Sequence, residues 1–432
     1  MDGPTIFAPM TAAGRGAVTA LRLSGPATAA AITALAGSLP RPRMASLRSL
    51  RSAEGDMLDE ALVLWFPAPA SYTGEDVAEL HLHGGHAVLE GVAEALLAQG
   101  LRLAEPGEFS RRAFLNGRMD LLQAEAIGDL VAAETTGQRR QALRQMEGAL
   151  GSIFDDWSHR LAGVLAHQEA LIDFPDEDLP PEVEAVLART IASLRSEIAG
   201  HLADGRRGEK MREGLVFVIQ GPPNAGKSTL INALAGREVA IVSAIPGTTR
   251  DALEVPLTFG DAPVTLIDTA GLRETADPVE AEGVRRARAR AAEADLLLVL
   301  RSPDTPEAGE ETAGAMPRLL IATKADLGAP AAEADLAVSA RTGAGMAALI
   351  ARLDDFARAA TATAGPPPLT RQRHRALLAE AEMHLARARD EAEPELRAEE
   401  LRLAMAAIGG ITGAVGVEAL LDRIFGDFCI GK

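Results

Sequence analysis

The chain has 432 residues, 47% apolar and 3% aromatic, with a formal charge of −18. That length exceeds one core and points to roughly two to four domains, built mainly from Ala, Leu and Val. The charge argues against broad contact with bare nucleic acid, which needs clustered Lys and Arg, so any RNA has to be drawn by a local basic patch or a partner protein; the single cysteine, Cys429, excludes a disulfide framework or a cysteine-rich zinc site.

Residues 1–118 hold short apolar runs broken by Gly and Pro. Val18–Leu23, Ala61–Phe66 and Ala78–His83 read as strands, and Ala27–Ala36 and Ala87–Leu97 as helices. That mixture predicts a small α+β domain. From 119 to 213 apolar residues recur at helical spacing (Leu121, Leu122, Ile127, Leu130, Val131, then Ile153, Trp157, Leu161), with a loop at Pro175–Pro181. This predicts long helices in a bundle. Residues 214–360 alternate strand and helix in the manner of a parallel sheet, with strands at Leu215–Ile219, Val264–Asp268, Leu296–Leu300, Leu319–Ala322 and Ala337–Ser339. Residues 361–432 return to helix, with a break expected at Gly409-Gly410. The architecture expected is multidomain α/β, the helical bundle being discontinuous and the sheet domain inserted between its halves. No apolar run approaches about 18 residues, and Met1-Asp-Gly-Pro4 lacks the blocks of a signal peptide, so no membrane span and a cytoplasmic location are expected.

Gly221-Pro-Pro-Asn-Ala-Gly-Lys-Ser228 matches the phosphate-binding loop at every fixed position, between an apolar strand and a helix. Its glycines let backbone N–H groups face a phosphate. Lys227 would reach the β- and γ-phosphates, and Ser228 would ligate magnesium. Asp268-Thr269-Ala270-Gly271 ends a strand, where Asp268 can hold magnesium through water. Thr249, in Gly247-Thr248-Thr249-Arg250, is placed to join that shell. Thr323-Lys324-Ala-Asp326 and Ser339-Ala340 follow later strands. Asp326 selects guanine, because a carboxylate accepts from both N1–H and the 2-amino group. Asn is usual at position 323, so Thr323 is a departure. Leu272 stands where Ras-like enzymes carry the glutamine that orients water, and leucine cannot do that work. Arg250 and Arg273 border the same loops and could serve as an arginine finger.

Several stretches resemble the MnmE (TrmE) family of tRNA-modifying GTPases, and they span the chain. They include Thr5-Ile-Phe-Ala-Pro9, Gly14-Arg-Gly16, Leu21-Arg-Leu-Ser-Gly25, Tyr72-Thr-Gly-Glu-Asp76, His83-Gly-Gly85, Pro106-Gly-Glu-Phe109, Arg112-Ala-Phe-Leu-Asn116, Asp120–Ile127 and Cys429-Ile-Gly-Lys432. The resemblance implies an N-terminal folate-binding-like domain that dimerises, a discontinuous helical domain and an inserted Ras-like GTPase domain. It implies a GTP site running through Asn224, Ala225, Gly226, Lys227, Ser228 and Thr229, then Ser243, Ala244, Ile245, Pro246, Gly247, Thr248 and Thr249. Potassium would be held by Asn224, Ser243, Ile245 and Thr248, and Glu280 would position the attacking water. Read without the family, Asn224 has the alternative of a plain turn residue and Glu280 that of a solvated acid at a helix start.

By the same likeness Arg22, Glu79, Arg118 and Lys432 would bind a 5-formyl- or 5,10-methylene-tetrahydrofolate, Arg118 standing where Lys is often found. Arg22 alone also reads as a surface strand residue. Cys429 suits packing or a pocket wall, and His81, His83 and His86 lack a further metal ligand. The implied activity is a potassium-activated GTPase. With an FAD-containing partner of the MnmG (GidA) type it would install an aminomethyl or carboxymethylaminomethyl group at C5 of the tRNA wobble uridine. The alternatives are a ribosome-assembly GTPase of the Era or Der kind and a folate-binding scaffold whose GTPase has lapsed.

Overall fold

The computed structural model describes residues 3–12, 14–173, 181–236, 254–268, 285, 289–304, 316–328, 333–362, 366–415, 418–426, 428 and 431. Contacts divide the chain into two compact units, Met1–Gly128 with Ile408–Lys432, and Asp129–Ala407. Among the described residues each unit carries one six-stranded sheet.

The first sheet contains β1 (Ile6–Pro9), β2 (Val18–Ser24), β3 (Ser46–Arg51), β4 (Met57–Phe66), β5 (Val77–His83) and β6 (Arg102–Leu103), in the order β3-β4-β5-β2-β1-β6. All pairings are antiparallel except β1 with β6. Alternation along the strands sends Leu21, Leu23, Val63, Leu80 and Leu82 into one core. There they meet Ile32 and Leu35 of the helix Thr28–Ala36, and Val92 and Leu96 of the helix His86–Ala98. Each fully buried aliphatic side chain contributes about 1.5–3 kcal/mol. The same alternation turns Arg22 and Glu79 onto the other face, where the β2–β5 register sets them opposite one another. Gly84, in the His83-Gly-Gly85 stretch, has no room for a side chain, since an added Cβ would lie 2.2 Å from the Gly16 carbonyl oxygen.

The helices Gly151–Asp173 and Pro181–Leu202 precede the second sheet, and Gln372–Asp390 follows it. Arg195 and Glu382 pair at 2.7 Å across 187 residues, so segments from either side of the sheet pack as one helical layer. The helix Pro394–Thr412 runs through Gly409-Gly410, where a break was expected. Two glycines weaken a helix by about 1 kcal/mol each, but Ile408 and Ile411 beside them are fully buried. An added Cβ on Gly409 would meet Val415 at 3.2 Å, so this residue serves close approach and not a break.

The second sheet contains β7 (Leu215–Gln220), β8 (Glu254–Phe259), β9 (Ala262–Asp268), β10 (Leu296–Arg301), β11 (Arg318–Ala322) and β12 (Leu336–Ala337). Its order is β12-β11-β10-β7-β9-β8, parallel except for the β8–β9 hairpin. The strand β8 was not expected from sequence. It is the edge strand, where Pro256 is tolerated, and it turns through Gly260 (φ 57°) and Asp261 (φ 67°), the two left-handed residues of a tight hairpin. The hairpin tip is held on two sides. The Gly137 N–H, at the start of the helix Thr136–Met146, donates to the Asp261 carbonyl at 3.2 Å. The Gly260 N–H donates to Asp354 Oδ1 at 2.8 Å, on the helix Met346–Thr361.

In this sheet β7 is central, with β9 on one side and β10 on the other, so successive connections leave it in opposite directions. Such a switch point opens a crevice beyond the C-terminal ends of the strands. The phosphate loop follows β7 into that crevice.

Candidate functional site

The loop from Gly221 to Gly226 is shaped by two constraints. A Cβ on Gly221 would lie 2.9 Å from the Leu300 carbonyl oxygen, so only glycine lets the loop pass β10. Gly226 (φ 87°) caps the helix Lys227–Ala235 in a left-handed conformation, as Asn224 (φ 63°) does within the loop. Lys227 is buried, and its Nζ donates to the carbonyls of Gly221 at 2.8 Å and Pro222 at 2.9 Å. Its ammonium therefore stands inside the loop. Ser228 and Thr229 open the helix and are exposed, Asn224 is exposed, and Ala225 is buried. Asp268 ends β9 in register with Ile219, two residues before the loop. The exposed Ser228 hydroxyl and the Asp268 carboxylate at the strand end are hard oxygen donors of the kind magnesium takes, and the exposed Asn224 amide is a neutral oxygen donor suited to a monovalent cation.

A second group of expected site residues follows β11 and β12. Thr323 is buried, and its Oγ1 lies 2.6 Å from the Ala225 carbonyl and 3.0 Å from that of Arg301, one proton serving both. The residue that departs from the common Asn is thus the strap that ties the segment after β11 to the phosphate loop. Lys324 (φ 53°) pairs with Asp304 at 2.7 Å. Hydrogen bonds from Lys324 and Ser302 hold the Asp304 carboxyl down at about 2. Ser339 is fully buried and donates to Asp326 Oδ1 at 2.6 Å. Arg341 donates to Asp326 Oδ2 from Nε at 3.0 Å and Nη2 at 2.6 Å. These contacts hold the Asp326 carboxyl below its usual range, the Ser339 bond being the larger cause. Ala340 lies half-buried beside them. An ionised carboxylate at the end of such a crevice is an acceptor for a base that offers two donors.

Two family models match the chain: the MnmE helical domain over residues 121–429 and the GTP-binding protein TrmE N-terminus over residues 5–118. The chain is 57% identical over 434 residues to the tRNA modification GTPase MnmE of Gluconacetobacter diazotrophicus, covering 99% of this chain and 98% of that one. It is 54% identical to the proteins of that name from Granulibacter bethesdensis and Rhodospirillum rubrum, over the full length of both chains in each case. The chain belongs to the MnmE family of tRNA modification GTPases.

In this MnmE-family chain the sheet of the N-terminal unit carries a second polar site. Arg22 donates to Glu79 Oε1 from Nε at 3.1 Å and Nη2 at 2.9 Å, and both side chains keep under a fifth of their surface. The guanidinium lies 4.7 Å from the Tyr72 ring centroid. Burial raises the Tyr72 phenol above its ordinary value, against its bond with Ser110 and the nearby Arg22 charge. Glu79 and Arg118 line a cavity of about 310 Å³ with Arg43, Phe66 and Tyr72. The cations and carboxylate fit a ligand with an amino–amide edge and an acidic tail. His83 pairs with Asp59 at 2.6 Å and His86 with Glu90 at 3.5 Å. No group of three or more metal-ligating side chains gathers among the described residues.

Several expected site residues lie outside the described residues: Ser243, Ala244, Ile245, Pro246, Gly247, Thr248, Thr249, Thr269, Ala270, Gly271, Glu280 and Lys432. Cys429, Arg250, Leu272 and Arg273 lie there too. The sequence reading missed the Thr323 strap, Arg341 and the aromatic wall of Phe66 and Tyr72. For Arg341 a signal existed, since it follows Ser339-Ala340 directly. Among the described residues no helix is long and apolar enough to cross a membrane.

Proposed function

We propose that this chain hydrolyses GTP at the loop 221–229 and uses the cycle to modify the wobble uridine of tRNA. The partner is an FAD-containing protein of the MnmG (GidA) type, and a tetrahydrofolate bound near Arg22, Glu79, Arg118 and Lys432 provides the one-carbon unit. The product carries an aminomethyl or carboxymethylaminomethyl group at uridine C5. The reading entails a cytoplasmic homodimer, joined through the N-terminal domain, with the GTPase domain of residues 214–360 inserted in a helical domain of residues 119–213 and 361–432.

The observation that carries the choice of GTP is the Asp326 carboxylate, ionised and aimed by the buried Ser339 hydroxyl. Lys227, whose ammonium donates to the Gly221 and Pro222 carbonyls inside the loop, would reach the β- and γ-phosphates. Ser228 with Thr249 would hold magnesium, and Asn224 with Ser243, Ile245 and Thr248 would hold potassium. When bound, these cations supply positive charge against the charge that develops on the transferred phosphoryl group. Glu280 orients the attacking water, the work that Leu272 cannot do.

The test is the nucleoside composition of tRNA from a strain lacking this protein, complemented with the wild type or with Asp326→Asn. The wild type should restore the modified wobble uridine and the variant should not. In purified form the variant should trade GTP for xanthosine triphosphate, because an amide donates where a carboxylate accepts. Unmodified GTP preference in Asp326→Asn would remove that residue from the base pocket.

A further inference from the structure

A carboxylate offers about four lone-pair positions to donors. On Asp326 the chain itself uses three: Ser339 takes one on Oδ1, and Arg341 takes Oδ2 with two N–H groups. Guanine needs two more, one on each oxygen, for its N1–H and 2-amino group. That is one donor more than the carboxylate accepts, so a resident donor has to give way.

The two residents are not equal. Ser339 is fully buried, and its hydroxyl also accepts the Thr342 N–H at 3.2 Å, so it stays. The Arg341 side chain is 74% exposed and can turn into water. Its backbone is nonetheless held within reach, because the Gly343 N–H donates to the Ser339 carbonyl at 2.9 Å and fixes the turn between them. A guanidinium is also the side chain closest in form to a guanine edge, being planar with adjacent N–H donors.

We propose that Arg341 caps Asp326 as an internal competitor for guanine, so that guanine nucleotide binds by displacing it. This inference rests on the guanine-binding reading of Asp326. Any base that uses this carboxylate has to displace the guanidinium, so the cap weakens affinity. Apparent affinity falls in proportion to the fraction of uncapped carboxylate. For an exposed ion pair that fraction corresponds to a penalty of about two- to fivefold.

The experiment measures binding of fluorescent GDP to the full chain by stopped flow, in the wild type, Arg341→Ala and Arg341→Gln. Both variants should bind GDP about two- to fivefold more tightly, mainly through faster association, and the gain should shrink at high salt as the pair is screened. In Asp326→Asn, with xanthosine diphosphate as the probe, adding Arg341→Ala should change nothing, because no charge remains to hold the guanidinium. Unchanged or weaker GDP binding in Arg341→Ala would overturn this inference alone. Absence of GDP binding in the wild type would overturn the guanine reading and this inference with it. Arg341 is exposed, so equal thermal unfolding of wild type and variants is expected and excludes misfolding as the cause.

Discussion

At the scale of single residues, the site depends on hydroxyl groups that fasten one loop to another. Thr323 is buried against the Ala225 carbonyl, which belongs to the phosphate loop. Thr323→Val keeps the shape and deletes the only hydroxyl in that contact, leaving a carbonyl short of a donor at a cost of about 1–3 kcal/mol. Denaturant unfolding should register that loss, and GTP affinity should fall with it. Thr323→Ser, which retains the hydroxyl, should stay close to the wild type in both. Equal stability of the Val and Thr proteins would show that the strap carries no weight.

At the scale of elements, close backbone approaches set how the hairpin β8–β9 is seated. An added Cβ on Gly137 would lie 2.4 Å from the Asp261 carbonyl oxygen and against Met211, so Gly137→Ala must push the helix Thr136–Met146 off the turn. Overpacking of this kind costs about 1–3 kcal/mol. Gly163, inside the helix Gly151–Asp173, meets nothing within 4 Å, and Gly163→Ala should stabilise by up to about 1 kcal/mol. Thermal unfolding of the two variants should move in opposite directions; a shared direction would contradict the seating described.

The helices Gly151–Asp173 and Pro181–Leu202 meet through Arg160 and Glu197 at 2.8 Å, and Trp157 Nε1 donates to Glu197 at 2.9 Å. The Arg160 bond holds the Glu197 carboxyl down at about 2, from an ordinary 4.5. A depressed folded value means the pair's contribution is complete above about 4.5 and is lost as pH falls through about 2. Because Glu197 is 39% exposed, that contribution is under about 1 kcal/mol. Trp157 emission in a Trp65→Phe background should report the transition below pH 4, and Arg160→Ala should move it upward. A wild-type midpoint at 4.5 would contradict the pairing.

At the scale of the whole molecule, hydrolysis is expected to depend on the monovalent cation. Asn224 stands exposed in a left-handed turn of the phosphate loop, and Leu272 cannot orient water. If Asn224 ligates potassium as proposed, hydrolysis should be fast in potassium chloride and slow in sodium chloride, whose smaller ion would fit the same ligands poorly. Glu280→Ala should lower kcat in potassium while GTP still binds. Equal wild-type rates in the two salts at matched ionic strength would favour Arg250 or Arg273 as a finger instead.

The sequence alone determined those features whose physics is local. The phosphate loop is legible because its fixed glycines, its lysine and its hydroxyl lie within eight residues between a strand and a helix. The apolar runs of β7, β9, β10 and β11 are legible because burial in a parallel sheet demands them. Pairings between distant residues were not legible, since no local pattern encodes a contact across 57 residues for Arg22 and Glu79 or 98 for Thr323 and Ala225. The same holds for Arg341, whose role depends on which of its neighbours the turn after Ser339 brings to Asp326. Sheet order decided these contacts: β2 beside β5, and β11 two strands from β7, are outcomes of packing that only the folded chain displays.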